Sequence, residues 1–291
     1  MNDLINAVGE KTALLDAAIR QLGKRGQAYA EAESNYRMAL SKAILEERAN
    51  GTPVTIISDI CKGKSDIAKL RFQRDCAEVV YKSAMEAINS YKLQIRIRRI
   101  RQSGLGDLLN EYTFDKFQTE SPWQEAVKNS ALKFLEDHDR KWFFIGGQVG
   151  AGKTHLCTAI VGEFLNRGIS AKYMLWRDEA LKLKAVVNDD AAYSNLIKPL
   201  KTVPVLYIDD FFRTGNDETG RKKAPTQGDI NVAFELINYR YNNNLVTILS
   251  SELTVDQILF FDEAVGSRIY QRTKEYHWDI AKDPHKNYRL K

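Results

Sequence analysis

The chain has 291 residues, a hydrophobic fraction of 44% and a formal net charge of +5, enough apolar material for two domains or one large one. No apolar run is long enough to span a bilayer, and the start, Met1-Asn2-Asp3-Leu4, lacks the basic and apolar regions of a signal peptide, so a cytoplasmic protein with no membrane partner is expected. Cys61, Cys76 and Cys157 are scattered without a C-x-x-C pair, which argues against a disulfide framework or a zinc site, and the mild charge permits nucleic-acid binding without demanding it.

Residues 3–49 hold no proline. Leu4, Val8, Leu15, Ile19 and Leu22 recur at helical spacing, continued by Tyr29, Tyr36, Leu40 and Ile44. Asn50-Gly51-Thr52-Pro53 breaks the pattern. A short apolar piece follows (Val54, Ile56, Ile57, Ile60) and ends at Gly63. A second helical stretch runs over 65–99, with Ile67, Leu70, Val79, Val80, Met85, Ile88 and Leu93 as its apolar positions. The pattern predicts an all-helical N-terminal hairpin over residues 1–100, with imperfect heptads that leave a coiled coil open. It carries no histidine, and its acids are spaced to pair with neighbouring bases. It therefore reads as a partner-binding or oligomerising arm. Lys92, Arg96, Arg98, Arg99 and Arg101 have no acid among them; such a run is either a solvated helix end or a contact for a phosphate backbone.

Gln102-Ser103-Gly104-Leu105-Gly106 marks a boundary. Over residues 101–291 the pattern changes to alternating strands and helices. Strands are expected at 142–145, 171–176, 203–208 and 245–250, with a helix at 154–166. These are short apolar runs bounded by turn signals, as in strands buried on both faces of a parallel sheet. The second domain is thus expected to be a three-layer α/β domain that binds a nucleotide.

Between the first strand and its helix, Gly147-Gln148-Val149-Gly150-Ala151-Gly152-Lys153-Thr154 fits the G-x-x-x-x-G-K-[ST] phosphate-loop pattern without a mismatch. Glycines let successive N–H groups turn inward around phosphate oxygens, and the helix that follows adds its positive end. Lys153 would reach the outer phosphates, and the Thr154 hydroxyl would hold a magnesium ion. Further on, Val205-Leu206-Tyr207-Ile208 feeds two acids, Asp209 and Asp210. At the carboxyl end of a parallel strand they face the ligand crevice. Asp209 would bind the magnesium directly or through water; Asp210 would polarise the water that attacks a γ-phosphate, or only orient loop amides. At the end of the fourth strand, Ser251 is the first candidate to sense the γ-phosphate, with Glu252 beside it; a plain strand-end turn is the other reading.

Three runs, Ser103-Gly104-Leu105, Tyr112-Thr113-Phe114-Asp115-Lys116-Phe117 and Gly152-Lys153-Thr154-His155-Leu156, together resemble the AAA+ domain of DnaC/DnaI-type replicative helicase loaders. The likeness is greatest to phage and prophage versions, in a group that includes the transposition helper ATPase IstB. Gly266-Ser267-Arg268-Ile269-Tyr270-Gln271-Arg272 resembles that family's arginine-finger segment, and Asn287-Tyr288-Arg289 its C-terminal sensor arginine. The resemblance covers residue 100 to the end. It implies a P-loop AAA+ ATPase using ATP and Mg2+, with Gly147, Gly150, Gly152, Lys153, Thr154, His155 and Arg289 around the nucleotide. It also implies self-association through the ATPase domain. Arg268, or Arg272 one helical turn on, would then reach the γ-phosphate of the adjacent subunit; the alternative for both is a surface ion pair. Binding of single-stranded DNA is implied as well, with Arg177, Lys182 and Lys184 as candidates and Tyr193 as a stacking partner, unless these simply form a solvated face. Phe211, Phe212 and Arg213 either line a central channel or pack the loop, and the polar insertion 215–223 is expected to be mobile.

The activity the resemblance implies is ATP-dependent loading of a hexameric, DnaB-type replicative helicase onto single-stranded DNA in a bacterial host's cytoplasm. Its alternatives are an IstB-like transposition helper and a non-hydrolysing, ATP-switched adaptor. The chain departs from the family pattern at Asp210, where glutamate is common, and at Glu252, where asparagine is common; both bear on hydrolysis more than on ATP binding. The arm is poorly covered, and by position it would dock on the helicase.

Overall fold

The computed structural model describes the backbone of residues 2–215, 218 and 223–290, with side chains from Glu10 onward. Most of the insertion expected to be mobile, residues 216, 217 and 219–222, lies outside the described residues. The chain divides into two compact units, Met1–Arg98 and Arg99–Lys291.

The first unit is entirely helical. Helix α1 (Asn2–Ala49) leads through a turn to α2 (Val54–Gly63), and α3 (Ser65–Ser103) returns. Gly51, at φ +81°, makes the turn after α1, and Pro53 then caps α2 without needing an N–H partner. Antiparallel pairing of α1 and α3 is visible in Tyr29 stacked on Tyr81 at 6.1 Å and in Arg74, which lies 3.6 Å from Glu33 and over the Tyr36 ring at 4.6 Å. Tyr36, Ala43, Ile57, Cys61 and Ile67 form a small core where α2 folds between the long helices. The hairpin is as expected, but the apolar positions sort differently. Ile19, Val79, Val80 and Leu93 face solvent, while Ala84, Ile88 and Ile95 are buried. Periodicity finds a helix but cannot tell which of two apolar rows lies toward the partner helix. The second helix also runs past 99 to Ser103, because Gly104, at φ +80°, is the first residue that stops it.

The second unit opens with the short α4 (Leu108–Glu111) and α5 (Pro122–Glu136). Alternation follows: β1 (Phe143–Gly147), α6 (Lys153–Asn166), β2 (Ala171–Leu175), α7 (Trp176–Ala185), α8 (Asp190–Thr202), β3 (Val205–Asp209), α9 (Gln227–Asn242), β4 (Val246–Ser250), α10 (Val255–Phe261), α11 (Glu263–Thr273) and β5 (His277–Ile280). The sheet has the order β2-β3-β4-β1-β5, and its strand pairs are parallel. Strand residues alternate between two cores. Phe143, Ile145 and Tyr207 pack with Leu156, Ile160 and Phe164 of α6 and Phe134 of α5 on one face. Trp142, Phe144, Leu206 and Ile208 pack with Leu183, Leu236 and Ile269 on the other. Each such fully buried side chain contributes about 1.5–3 kcal/mol before chain entropy is counted. This is the three-layer α/β class with a parallel sheet that the sequence predicts.

Two details were not legible in the sequence. The strand β5, His277-Trp278-Asp279-Ile280, is short and mixed in polarity because it is an edge, yet it pairs with β1 over Phe144–Gly147. The guanidinium of Arg240 on α9 is wholly buried. It donates to the carbonyls of Leu200 at 2.9 Å, Lys201 at 3.1 Å and Val203 at 2.8 Å, and to Thr247 Oγ1 at 2.9 Å. It thereby satisfies the last carbonyls of α8 where that helix turns into β3. Burial pushes its pKa down to about 9, so it still carries its charge at neutral pH. Among the described residues, no helix is long and apolar enough to cross a membrane.

Candidate nucleotide site

The phosphate loop begins where β1 ends. Gly147 sits at φ +92°, and a Cβ there would lie 2.1 Å from the Ile280 carbonyl oxygen, so only glycine lets β5 run this close. The same carbonyl accepts from Gln148 N at 3.0 Å. Gly150 sits at φ +75°, and a Cβ there would lie 1.9 Å from Asn287 Oδ1. Gly152, at φ +80°, caps α6, leaving the first N–H groups of that helix directed into the pocket. The Lys153 ammonium folds back over the loop and donates to Gly147 O at 3.0 Å and Gln148 O at 2.6 Å. Burial lowers its pKa, opposed by the charges of Glu252, Asp210 and Asp209.

One strand away, Asp209 ends β3 as a buried carboxylate. Its Oδ1 accepts from Thr154 Oγ1 at 3.2 Å, from the Asp210 N–H at 3.1 Å and from the Ser250 hydroxyl. Its Oδ2 accepts from the Tyr173 hydroxyl at 3.2 Å. Burial, reinforced by this carboxylate, pushes the Tyr173 phenol well above its ordinary range, so Tyr173 remains a donor. Thr154 and Asp209 thus meet as hydroxyl and carboxylate beside the phosphate loop. Two hard oxygen donors with room for water and phosphate oxygens are what Mg2+ takes, and no group of three or more metal-binding side chains stands among the described residues to compete.

Beyond Asp209 the chain is pinned by aromatic packing. Phe211 and Phe212 stack at 4.2 Å and meet the Trp176 ring nearly at right angles, at 4.8 and 5.3 Å. Both are buried, so they pack the loop and line no channel. The Phe211 N–H donates to Ser250 O at 2.8 Å. Asp210 is held between these anchors at φ +52°, a left-handed conformation uncommon outside glycine and tolerated better by aspartate than by most residues. Its carboxylate pairs with Arg213, whose Nε also lies 3.6 Å from Glu252 Oε1.

A cavity of about 340 Å³ gathers these groups; Lys153, Asp210, Arg213, Glu252 and Arg289 line it, with Tyr112 and Phe117 at one end. Arg289 is brought in by the loop itself: Gly150 O accepts from Tyr288 N at 3.0 Å, and Asn287 Oδ1 accepts from Arg289 N at 3.1 Å. His155 also lines the cavity. There it is a wall residue, bonded through Nε2 to Thr113 O at 2.8 Å and stacked on Tyr112 at 4.9 Å. Burial lowers its pKa.

Other sequence candidates are placed elsewhere. Ser251 is wholly buried; its hydroxyl donates to Phe211 O at 2.7 Å and accepts from Leu253 N at 3.0 Å. It secures the turn after β4, and the flanking Ser250 and Glu252 face the site instead. Strand alternation explains this, since neighbours point to opposite faces. Arg272 is spent on structure as well: it donates to Arg140 O at 2.8 Å, Tyr241 O at 2.7 Å and Asn244 Oδ1 at 2.7 Å. Arg268 does not line the cavity of its own subunit. It lies over Phe234 at 5.4 Å and Tyr241 at 5.7 Å and donates to Ala264 O at 2.6 Å. Of the DNA candidates, Arg177 is exposed on α7 and Lys182 pairs with Glu179 at 2.7 Å. Lys184 pairs at 2.5 Å with Asp229, the acid that boxes the start of α9, and Tyr193 donates to Glu235. Lys184 and Tyr193 are thus each paired with an acid of α9. The sequence reading missed the roles of Arg213, Tyr173 and Asn287, which only tertiary contacts reveal.

The family model for IstB-like ATP binding protein matches residues 64–291. Among curated relatives, YqaM of Bacillus subtilis (strain 168) is 31% identical over 206 residues, 67% of this chain and 62% of YqaM. The phage-like element PBSX protein XkdC of the same strain is 30% identical over 189 residues, 62% of this chain and 68% of XkdC. The replicative helicase loader DnaC of Escherichia coli (strain K12) is 28% identical over 116 residues, 39% of this chain and 47% of DnaC. The chain thus spans less than two thirds of the length of YqaM and about half that of DnaC.

Proposed function

This chain belongs to the family of IstB-like ATP binding proteins, and from that premise we propose that it is an AAA+ ATPase that loads a hexameric, DnaB-type replicative helicase onto single-stranded DNA. The observation that carries the reading is the cavity itself, where Lys153, Thr154, Asp210 and Arg289 converge around the phosphate loop with Thr154 bonded to Asp209 beside them. The loop amides and the start of α6 hold the phosphates. Lys153 trades its bonds to the loop carbonyls for β- and γ-phosphate oxygens, and Arg289 meets the same phosphates from the C-terminal side. Thr154 and Asp209 would hold Mg2+, which when bound neutralises charge on the β- and γ-phosphates. Asp210 orients a water toward the γ-phosphorus and accepts its proton, and ADP leaves with the broken bond's electrons. Arg268, facing away from its own site, is available to a neighbour's γ-phosphate in a self-associated form. The DnaC relative is a replicative helicase loader by name, which supports the choice of activity, and the arm with its exposed Phe72 and Val79 is the surface offered to the helicase.

Turnover of ATP by the full chain with single-stranded DNA, against Lys153→Ala, tests the enzyme. Capture of a DnaB-type helicase by the full chain, against Phe72→Glu and Val79→Glu, tests the loader. Turnover equal to the Lys153→Ala background removes the ATPase reading. Unimpaired capture by both arm variants removes the assignment of the arm. A second reading, an ATP-switched adaptor without turnover, is favoured by the pairing of Asp210 with Arg213; ATP-dependent capture without hydrolysis selects it. Capture of a transposase in place of the helicase selects an IstB-like transposition helper.

A further inference from the structure

We propose that Arg213 is a γ-phosphate contact of its own subunit, held ready by Glu252 and exchanged between the Asp210 carboxylate and the nucleotide. The inference rests on the nucleotide site proposed above and adds a residue that decides between ATP and ADP.

The cavity lining carries two acids, Asp210 and Glu252, next to the place where phosphates must sit. A nucleotide triphosphate brings several negative charges to them. At close range in a partly desolvated pocket, unscreened like charges repel strongly, so the acids need a local cation. Lys153 is directed to the loop carbonyls. Among the described residues, Arg213 touches both acids: it donates through Nη1 to Asp210 and its Nε lies 3.6 Å from Glu252. A guanidinium offers five donors in a fixed fork. It can keep its Nε side on one carboxylate while its Nη side changes partner.

The three side chains differ in freedom in a way that sets the direction of exchange. The Glu252 side chain is only 10% exposed, whereas that of Arg213 is 47% exposed. Asp210 is fixed by its left-handed backbone and by the packed phenylalanines after it. The arginine is thus the mobile member between two fixed acids. When a γ-phosphate enters, it offers a dianionic, three-oxygen acceptor that suits the Nη fork better than one carboxylate oxygen. Arg213 moves onto it, Glu252 keeps the Nε side as a positioning residue, and Asp210 is left free to take a water. ADP presents no γ-phosphate and leaves the Arg213–Asp210 pair in place. This also accounts for an acid at position 252: a neutral side chain there would sense a phosphate directly, whereas an acid requires the arginine in between.

The test is the ratio of ATP to ADP affinity of the full chain, measured with fluorescent nucleotide analogues in Mg2+. Arg213→Gln is expected to weaken ATP about tenfold and ADP less than about twofold, a loss typical of one charge-assisted contact. Arg213→Lys keeps the charge without the fork and is expected to fall between. Asp210→Asn is expected to raise the ATP preference, and to do so less in the Arg213→Gln background, because the competition it relieves is for Arg213. An unchanged ATP-to-ADP ratio in Arg213→Gln and Arg213→Lys overturns the proposal while leaving the nucleotide site intact. If Arg213→Gln fails to fold, the ratio in Arg213→Lys decides alone: a fall of about threefold or more supports the contact, and no fall overturns it. Wild-type chain that binds neither nucleotide sinks the parent reading and this one with it.

Discussion

The coupling between the phosphate loop and the C-terminal segment makes Gly150→Ala the most discriminating substitution. Gly150 sits at φ +75°, where an L-residue costs about 1–2 kcal/mol. That part of the loss belongs to the loop and appears in any background. The second part belongs to docking. The new Cβ would fall 1.9 Å from Asn287 Oδ1, and the clash is relieved only by moving Asn287. That removes the acceptor of Arg289 N, now at 3.1 Å, and strains the Tyr288 N to Gly150 O bond, now at 3.0 Å. At about 1 kcal/mol for a hydrogen bond lost on net, docking of the tail weakens by about 1–2 kcal/mol, roughly five- to thirtyfold in its docked fraction. Because Arg289 reaches the nucleotide only when docked, ATP affinity should fall by about the same factor. Isothermal titration of ATP into wild type, Gly150→Ala, Asn287→Ala and the double variant isolates the docking part as the coupling energy of the cycle. Asn287→Ala removes the clash partner, so Gly150→Ala should cost only its backbone share there. Strict additivity in ATP affinity would refute the account: the tail would then not be held by this contact.

Two further outcomes follow from the site geometry. Arg272→Ala, which strips donors from Arg140 O, Tyr241 O and Asn244 Oδ1, should lower stability by about 1–3 kcal/mol in denaturant titrations; Arg268→Ala, which loses its place over Phe234 and Tyr241, should cost less, about 0.5–1 kcal/mol, yet suppress turnover by the assembled form, and the opposite pattern exchanges their roles. His155 has a pKa lowered by burial in the fold, so the unfolded chain binds its proton first. Its share of stability is complete above the unfolded value of about 6.5 and is lost as pH falls below it. Melting temperature should therefore drop less between pH 7 and pH 5 in His155→Gln than in wild type, and parallel curves would show that His155 is not the group responsible.

What was legible in the sequence follows from how local each cause is. The phosphate loop is local: glycines at three positive-φ sites, Gly147, Gly150 and Gly152, and a lysine and a threonine at the helix start are all set by adjacent residues. The parallel strands were legible because burial on both faces leaves continuous apolar runs such as residues 205–208 of β3. The edge strand β5 was not, since its exposed side tolerates His277 and Asp279. The candidate side chains that the fold pairs internally share one cause. Ser251, Arg272 and Lys184 are chemically fit for a site, but each has its partner far along the chain: Phe211 O, Arg140 O and Asp229. Residue type states what a side chain can do, whereas the fold decides which partner is within reach. The arm shows the same limit, with helices placed correctly and the buried row chosen by contacts between helices.

The polar groups of the site satisfy one another within the fold, and that bears on its use. Lys153 caps two loop carbonyls, Asp209 is saturated by Thr154, Ser250, Tyr173 and an amide, and Asp210 is held by Arg213. Binding of ATP with Mg2+ must loosen all three arrangements, since Thr154 and Asp209 would turn toward the metal, and each exchange returns less than the full gain of a new charge-assisted bond. A site built this way binds ATP more weakly than the same groups left idle would, and in return the state of Asp210 and Arg213 reports whether a γ-phosphate is present. Arg268 stands outside the site, so on the reading proposed here turnover waits for a second subunit as well. Both features trade speed for dependence on occupancy and assembly, which is consistent with the loader function proposed above. The matching kinetic signature is turnover that rises more than linearly with protein concentration, and strictly proportional turnover at all concentrations would show that each subunit works alone.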